Sequence, residues 1–158
     1  MMMINGTGLQ QNYGEAMSIC RGAANRHSAR AEYCLGYLYQ RGLGVAPDPK
    51  QAAKWYGEAA VGGHARAALT LAEMYTKGEG VAVDRPEAFC FLFFAYRNGA
   101  VAAKAQAHAL RLEMSRDETK QLEKKLRERR LDPQKVFAIV DDPASSDRMH
   151  KVLTPVEK

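Results

Sequence analysis

The chain has 158 residues, of which 46% are hydrophobic, and a formal net charge of +5. This length is typical of about one domain and this hydrophobic content is enough for a core, whereas the basic charge tolerates an acidic partner without requiring nucleic acid. The start carries no basic segment followed by an apolar run, and no stretch of about 18 apolar residues occurs. Neither a secretory signal nor a membrane span is therefore expected.

Apolar residues recur at helical spacing along most of the chain, which predicts an all-α fold. The predicted helices span about 12–25, 30–41, 49–61, 66–77, 85–98, 102–114 and 116–130. The expected organisation is an N-terminal segment over 1–11, a repeat domain over 12–114, a C-terminal capping helix over 115–130 and a partly flexible tail over 131–158.

Two stretches of similar sequence, YQRGLGVAPD at 39–48 and YTKGEGVAVD at 75–84, lie 36 residues apart. Each contains a G-x-G pair, which is part of a dinucleotide-binding fingerprint. That fingerprint also requires a third glycine and a preceding strand, and neither accompanies these pairs. The glycines are therefore predicted to form turns by adopting positive φ after a helix. They are Gly42, Gly44, Gly78 and Gly80.

The similarity extends over two whole units, about 31–66 and 67–102, with partial units at both ends. Identical pairs are Ala31/Ala67, Leu35/Leu71, Tyr39/Tyr75, Gly42/Gly78, Gly44/Gly80, Val45/Val81, Ala46/Ala82, Asp48/Asp84, Ala52/Ala88, Ala59/Ala95 and Gly63/Gly99. Because a single helix pair of this kind cannot bury its apolar face alone, the repeat predicts a stack of pairs.

Each unit has the residues that a helix pair requires. The first helix carries Ala-x3-Leu-x3-Tyr on one face and ends at the glycine loop. Asp48 or Asp84 then caps the second helix through its carboxylate. Trp55 and Phe91 occupy equivalent positions in the second helices, where they are predicted to fill the space between helices.

The combined pattern A-x3-L-G-x2-Y-x2-G-x-G-V-x2-D-x3-A-x2-W-x3-A-x3-G resembles the Sel-one-like repeat (SLR), a relative of the tetratricopeptide repeat. Residues 31–63 match it almost in full, and residues 67–99 match it with Ala72 for a glycine and Phe91 for the tryptophan. The resemblance implies a right-handed α-α superhelix, a short solenoid of antiparallel helix pairs. It also implies a non-enzymatic adaptor that binds a protein or peptide and has no catalytic residues.

The residues themselves give no support to an enzyme, since no nucleophile–base pair is evident, and no metal site or cofactor is expected. The histidines show no metal-ligand spacing, and His27, His64, His108 and His150 are expected at the surface or in loops. Cys20, Cys34 and Cys90 are odd in number and form no CxxC pair. They argue against a disulfide framework and favour a cytoplasmic protein.

In a curved stack the first helices line the concave side, where solenoid proteins bind partners. Positions of these helices outside the core pattern recur with the repeat. They form the predicted partner-binding strip: Arg30, Tyr33, Tyr37, Gln40, Arg66, Leu69, Glu73 and Thr76. Tyrosine and arginine are enriched at binding hot spots, and the repeated arginines permit an acidic peptide. The alternative is that Tyr33 and Tyr37 pack on neighbouring helices and that both arginines are merely solvated.

The last predicted helix begins with a capping box formed by Ser115 and Glu118. Its basic run KKLRERR is interleaved with glutamates, and Glu123 and Arg127 fall at i, i+4. Because no aromatic residues are interleaved for base stacking, a solvated helix face is favoured over nucleic-acid binding.

The helix predicted at 85–98 carries three phenylalanines, Phe89, Phe93 and Phe94, beyond the shared core pattern. Fully burying a phenylalanine is worth roughly 1.5–3 kcal/mol, so these side chains are expected to be covered. The favoured cover is intramolecular, by the last helix or by the tail. The alternative is a homodimer or partner surface through Phe93 and Phe94. It describes a structural or regulatory subunit that self-associates through this phenylalanine-rich helix and the C-terminal tail.

The tail contains two apolar clusters, at Val136, Phe137, Ile139 and Val140 and at Val152, Leu153 and Val156. Such clusters either dock on the helical body or bind a partner in trans. The first of them also competes with a partner for the concave strip, because it can fill that groove in the same chain. The sequence leaves these alternatives open.

Overall fold

The computed structural model describes residues 6–143, and the secondary structure of this part of the chain is entirely helical. Its helices are α1 (Gly6–Ala24), α2 (Ala29–Arg41), α3 (Pro49–Val61), α4 (Ala65–Lys77), α5 (Arg85–Arg97), α6 (Ala102–Leu112), α7 (Arg116–Glu128) and α8 (Pro133–Asp141). Consecutive helices from α1 to α6 pack against one another, and α7 packs on α5. The prediction of an all-α stack of helix pairs is confirmed.

The predicted helix starts are confirmed by their side-chain caps. The Asp48 carboxylate accepts hydrogen bonds from the backbone N–H groups of Lys50 and Gln51, at 3.0 and 3.1 Å. The Asp84 carboxylate accepts one from the backbone N–H of Glu87 at 2.9 Å. The capping box at Ser115 is also present in both directions. These bonds satisfy backbone donors that a helix start leaves free.

The glycine loops hold adjacent units in close contact. Gly44 and Gly80 have φ values of +72° and +73°, which L side chains rarely adopt. A Cβ atom on Gly44 would lie 2.8 Å from the carbonyl carbon of Tyr13, and one on Gly80 would lie 2.2 Å from the carbonyl oxygen of Pro49. Tyr13 and Pro49 are themselves one repeat apart, so the same backbone-to-backbone approach occurs twice. Turn formation and close packing therefore account for these glycines.

The core is built from small residues with a few large side chains between them. Ala52, Ala59, Ala88 and Ala95 are fully buried, which allows neighbouring helices to approach closely. Trp55 and Phe91 take equivalent places, as predicted, but both are only half-buried. The fully buried large residue of α3 is the next one along, Tyr56.

The segment expected to be a partly flexible tail is helical over Pro133–Asp141. Asp132 caps α8 by accepting from the backbone N–H of Gln134 at 2.9 Å, and Pro133 begins the helix. This is the same start that Asp48 and Pro49 give α3, and the aspartate–proline pair at 132–133 was a usable signal. The cluster at Val152, Leu153 and Val156 lies outside the described residues.

The packing of α8 on the stack covers part of the phenylalanine-rich helix. Val136 and Val140 are buried, and the Phe137 ring meets the Phe89 ring edge-on, with centroids 6.2 Å apart. Phe93 is also buried, with 1% of its surface exposed. The intramolecular interpretation is confirmed for Phe89 and Phe93. The alternative of a homodimer or partner surface through Phe93 and Phe94 stays a prediction, but the Phe93 side chain offers it no exposed surface because it already lies inside the chain.

Other boundaries differ from the predictions by smaller amounts. Helix α1 begins at Gly6 rather than near residue 12, since residues 9–11 are Leu-Gln-Gln, all good helix formers. Helices α5, α6 and α7 end one or two residues earlier than predicted, at Arg97, Leu112 and Glu128. No helix within residues 6–143 is long and apolar enough to cross a bilayer.

Candidate protein-binding face

The predicted strip lies on the first helices of the repeats, with four residues on α2 and four on α4. Only some of these side chains are accessible to a partner. Arg30, Tyr37, Arg66, Glu73 and Thr76 are exposed, whereas Tyr33, Gln40 and Leu69 are half-buried.

The half-buried members have partners inside the chain. The Tyr33 ring stacks on the His64 ring, with centroids 4.4 Å apart and planes inclined by 15°. The side-chain oxygen of Gln40 accepts a hydrogen bond from the Tyr56 hydroxyl at 2.8 Å. Leu69 packs against the main core. For Tyr33 this is the packing that the alternative described, and Gln40 and Leu69 also have contacts inside the chain.

Tyr37 is the more accessible of the two predicted tyrosines, with 42% of its surface exposed. The guanidinium carbon of Arg41 lies 5.8 Å from the centroid of its ring, within the range of a cation–π contact. Arg41 was not part of the predicted strip. An exposed tyrosine with an arginine beside it offers an apolar surface and hydrogen-bond donors together.

The two strip arginines act on a common group, His64. The pKa of His64 is lowered by its partial burial and by the positive charges of Arg30 and Arg66. The ring is also the N-cap of α4, since Nδ1 accepts from the backbone N–H of Ala67 at 3.2 Å. His64 lies in the loop between α3 and α4, as expected for a surface or loop residue, and it also caps the following helix. His108 likewise has a partner, because its Nδ1 lies 2.9 Å from a carboxylate oxygen of Asp141.

An open groove lies between α4 and α6, with a cavity volume of about 300 Å³. Its apolar surface comes from small and aliphatic side chains, and its rim from polar ones. The lining residues are Ala72, Glu73, Thr76, Lys77, Leu92, Gln106, Ala109, Leu110 and Glu113. Glu73 and Thr76 belong to the predicted strip, so the groove continues the strip toward α6.

The equivalent space between α2 and α4 is filled by the chain itself. The Tyr56 ring lies against Gly36, where a Cβ atom would be only 2.6 Å from a ring carbon. Its hydroxyl donates a hydrogen bond to Gln40, which lies one helical turn after Gly36 on α2. One repeat later the corresponding residues are Ala72, Leu92 and Thr76. Leucine is shorter than tyrosine and has no hydroxyl, and the second groove remains open.

Sequence reasoning missed this groove, although the signal was present. Tyr56 and Leu92 stand at the same repeat position, and the loss of an aromatic ring at one copy of a core position predicts unfilled space there. The groove residues on α6, which include Ala109 and Glu113, were absent from the predicted strip.

Carboxylates border the apolar floor of the α4/α6 groove. Within the described part of the chain, no group of three or more His, Cys, Asp or Glu side chains is arranged to hold a metal. Glu73 and Glu113 take part in no ion pair among residues 6–143. An apolar floor between two such carboxylates can accept an aliphatic side chain flanked by basic groups.

Known proteins share this architecture. A protein described as c5321, a protective antigen present in uropathogenic Escherichia coli strains and displaying an SLR fold, has a solved structure that matches with a TM-score of 0.67. The match is 25% identical and covers 92% of this chain and 30% of that chain. A Sel1 repeat protein from Oxalobacter formigenes matches with a TM-score of 0.59 and 28% identity, over 61% of this chain and 40% of that chain.

Sequence comparison points in the same direction. Chitin synthase regulatory factor 3 of Schizosaccharomyces pombe is 40% identical over 55 residues, which are 35% of this chain and 6% of that protein. The chain thus spans less than half the length of each of these three proteins. A family model described as Sel1 repeat matches residues 1–26, 29–64 and 65–99. Since the matched segments make up more than half of the chain and follow its helix pairs, the chain belongs to the Sel1 repeat family.

Proposed function

We propose that this chain is a protein-interaction module that binds a segment of a partner protein across the face formed by α2, α4 and α6. Sel1 repeat proteins are generally protein-interaction scaffolds. The face combines exposed polar residues of the strip, such as Tyr37 and Glu73, with an open apolar groove. Solenoid proteins use their extended first-helix surface for such contacts.

The observation that carries the proposal is the groove between α4 and α6. It is a concave, largely apolar space with polar groups at its rim, which is the form that binding sites for peptide side chains take. Glu73 follows Arg66 by two helical turns on α4 and also lines the groove, so one extended segment can contact both the strip and the groove. Truncation of a single anchor in such a site typically costs more than 1 kcal/mol of binding free energy.

The name of one sequence relative and the geometry of the face both support a regulatory adaptor. The fungal relative is named as a regulatory factor of an enzyme, chitin synthase, and its similarity to this chain is confined to a short segment. We infer for this chain only the general mode of action, in which the chain binds a partner protein and thereby regulates or recruits that partner. The partner itself is to be identified by experiment.

Site-specific photo-crosslinking tests the proposed face. A photoreactive amino acid is placed at Glu73 on α4 or, as the matched control, at Lys54 on α3, where the side chain is also exposed. We expect a partner from the native cell to be crosslinked at position 73 and not at position 54. The captured protein is then purified, and its affinity is measured for the wild type and for Tyr37→Ala and Glu73→Ala variants.

The expected result is a loss of at least fivefold in affinity for each strip variant, with an unchanged circular dichroism melt. Tyr33 is left intact in this experiment because it packs on His64 and Tyr56. The proposal fails if the partner is captured equally at position 54, or if both strip variants bind as tightly as the wild type.

A further inference from the structure

The groove between α4 and α6 has a candidate occupant within the same chain. Residues 144–158, which lie outside the described part of the structure, have the sequence ASSDRMHKVLTPVEK. They place the aliphatic residues Val152 and Leu153 directly after the basic residue Lys151, with Arg148 three residues earlier. This is the chemistry that an apolar groove between two carboxylates accepts.

The point from which this segment leaves the described fold is fixed beside α6. Val140 is buried, and the Asp141 carboxylate accepts hydrogen bonds from Arg111 and lies 2.9 Å from His108 Nδ1. Partial burial alone would raise the pKa of Asp141, but its bonds to Arg111 and His108 lower it below its usual range. Pro143 lies two residues after Asp141 and lines a cavity together with α6.

The groove is within reach of that point. Ala105 lines the cavity beside Pro143, and Ala109, one helical turn further along α6, lines the groove. One turn of helix advances about 5.4 Å. An extended chain advances roughly 3.3 Å per residue, so the ten residues from Pro143 to Leu153 span up to about 33 Å. This exceeds the length needed to cross one helix of about 10 Å diameter.

We propose that residues 144–158 occupy the α4/α6 groove of their own chain, with Val152 and Leu153 in the apolar space. Arg148 and Lys151 pair with the rim carboxylates Glu73 and Glu113. A tethered segment of this length acts at a high effective concentration, so weak contacts suffice for occupancy. If the groove is also the partner site, as proposed above, a partner segment binds by displacing these residues.

The test uses a fluorescently labelled synthetic peptide of residues 144–158 and three full-length proteins, with fluorescence anisotropy as the readout. The first protein is the wild type. The second carries V152D and L153D, which remove the apolar anchors from the chain's own segment. The third adds A72G, T76Q and L92Y to the second, and so reproduces the filled groove that Gly36, Gln40 and Tyr56 form one repeat earlier.

We expect the peptide to bind the V152D/L153D protein at least tenfold more tightly than it binds the wild type, whose groove is occupied in cis. Filling the groove lowers that affinity at least tenfold. A second variant covers the case in which the filled-groove protein does not fold. E73K/E113K in the V152D/L153D background changes only exposed side chains, and we expect it to weaken binding at least fivefold.

Three results overturn the inference. They are no saturable binding to the V152D/L153D protein, equal affinity for that protein and the wild type, and full affinity in both groove variants. None of these results bears on the crosslinking experiment at position 73. If a partner is captured there while the peptide fails to bind, only the intramolecular occupancy is wrong.

Discussion

The α2/α4 and α4/α6 grooves are built from the same repeat, and the largest difference in side-chain size between them is at Tyr56 and Leu92. In the first, Tyr56 fills the space and bonds to Gln40, whereas in the second Leu92 leaves about 300 Å³ open. A repeat architecture fixes the helix positions, so a change at one buried position alters the local surface without altering the fold. Pairs of equivalent residues in the two units therefore separate what the fold requires from what a binding site requires.

The largest expected effect comes from the first pair, Tyr56 and Leu92. Tyr56→Ala empties the filled groove and removes the bond to Gln40, so we expect it to lower the free energy of unfolding by about 3–5 kcal/mol. Tyr37→Ala, an exposed tyrosine on the neighbouring helix, is the control and should cost under about 0.5 kcal/mol. Chemical denaturation measures both. A loss below about 1 kcal/mol for Tyr56→Ala would show that the first groove does not depend on its ring.

The second pair is Trp55 and Phe91, which were predicted from the sequence to fill the space between helices. Each is half-buried, and Phe91 stacks on Tyr75 with ring centroids 5.8 Å apart. We expect Trp55→Ala and Phe91→Ala to cost roughly 2–3 kcal/mol each, below the range for a fully buried aromatic. A cost for Trp55→Ala that equals or exceeds that of Tyr56→Ala contradicts the burial seen here. Thermal melts of Trp55→Ala and Tyr56→Ala, measured side by side, show which substitution costs more stability.

The third pair is Gln51 and Glu87, at equivalent positions of α3 and α5. Gln51 is exposed, but Glu87 accepts from Lys125 at 2.8 Å and from Arg129, and so holds α7 against α5. Burial alone would lower the pKa of Lys125, but its bonds to Glu87 and Asp84 raise it. We expect Glu87→Ala to cost about 1–2 kcal/mol, since both cations remain partly solvated. Gln51→Ala, measured in the same denaturation series, should be neutral.

The sequence predicted the fold well because each structural requirement of a repeat appears in it more than once. The aspartate caps, the glycine loops and the buried alanines each occur at a fixed spacing, and the structure has them in place. Helices α7 and α8 both lie outside the repeats; the capping box of α7 was recognised in the sequence, whereas the aspartate–proline start of α8 at Asp132 and Pro133 was not. The register of α8 depends on contacts with Phe89 and Arg111, which are distant in sequence.

The candidate site was predicted less completely, for a related reason. A repeat alignment identifies the first-helix face, but exposure depends on what the next unit supplies. Tyr33 and Gln40 are residue types that often contact partners. In the structure, however, Tyr33 stacks on His64 and Gln40 accepts a hydrogen bond from Tyr56. Conversely, the α4/α6 groove is open where Leu92 replaces the larger Tyr56. A search for tyrosine and arginine hot spots does not detect the loss of an aromatic ring.

The smallest expected effect concerns the pair Ser28 and His64, the N-caps of α2 and α4. Ser28 makes no side-chain cap bond, whereas His64 Nδ1 accepts from the backbone N–H of Ala67, which requires this nitrogen to be unprotonated. Partial burial, Arg30 and Arg66 lower the pKa of His64 in the folded chain below its usual range. As the pH falls through about 6.5, the unfolded chain therefore takes up this proton first. The contribution of His64 to stability is complete above that pH and is lost below it.

His64→Asn isolates this contribution, because asparagine can cap the helix at any pH in this range. We expect the free energy of unfolding of the wild type to decrease between about pH 7 and pH 5, and the decrease to be smaller in the variant. Loss of the stack on Tyr33 shifts the variant's stability by an amount that does not depend on pH, so the slope is the quantity to compare. Ser28→Asn serves as the matched control and should leave the wild-type slope unchanged. If the free energy of unfolding changed with pH by the same slope in the wild type and in His64→Asn, the imidazole would not act as the cap of α4.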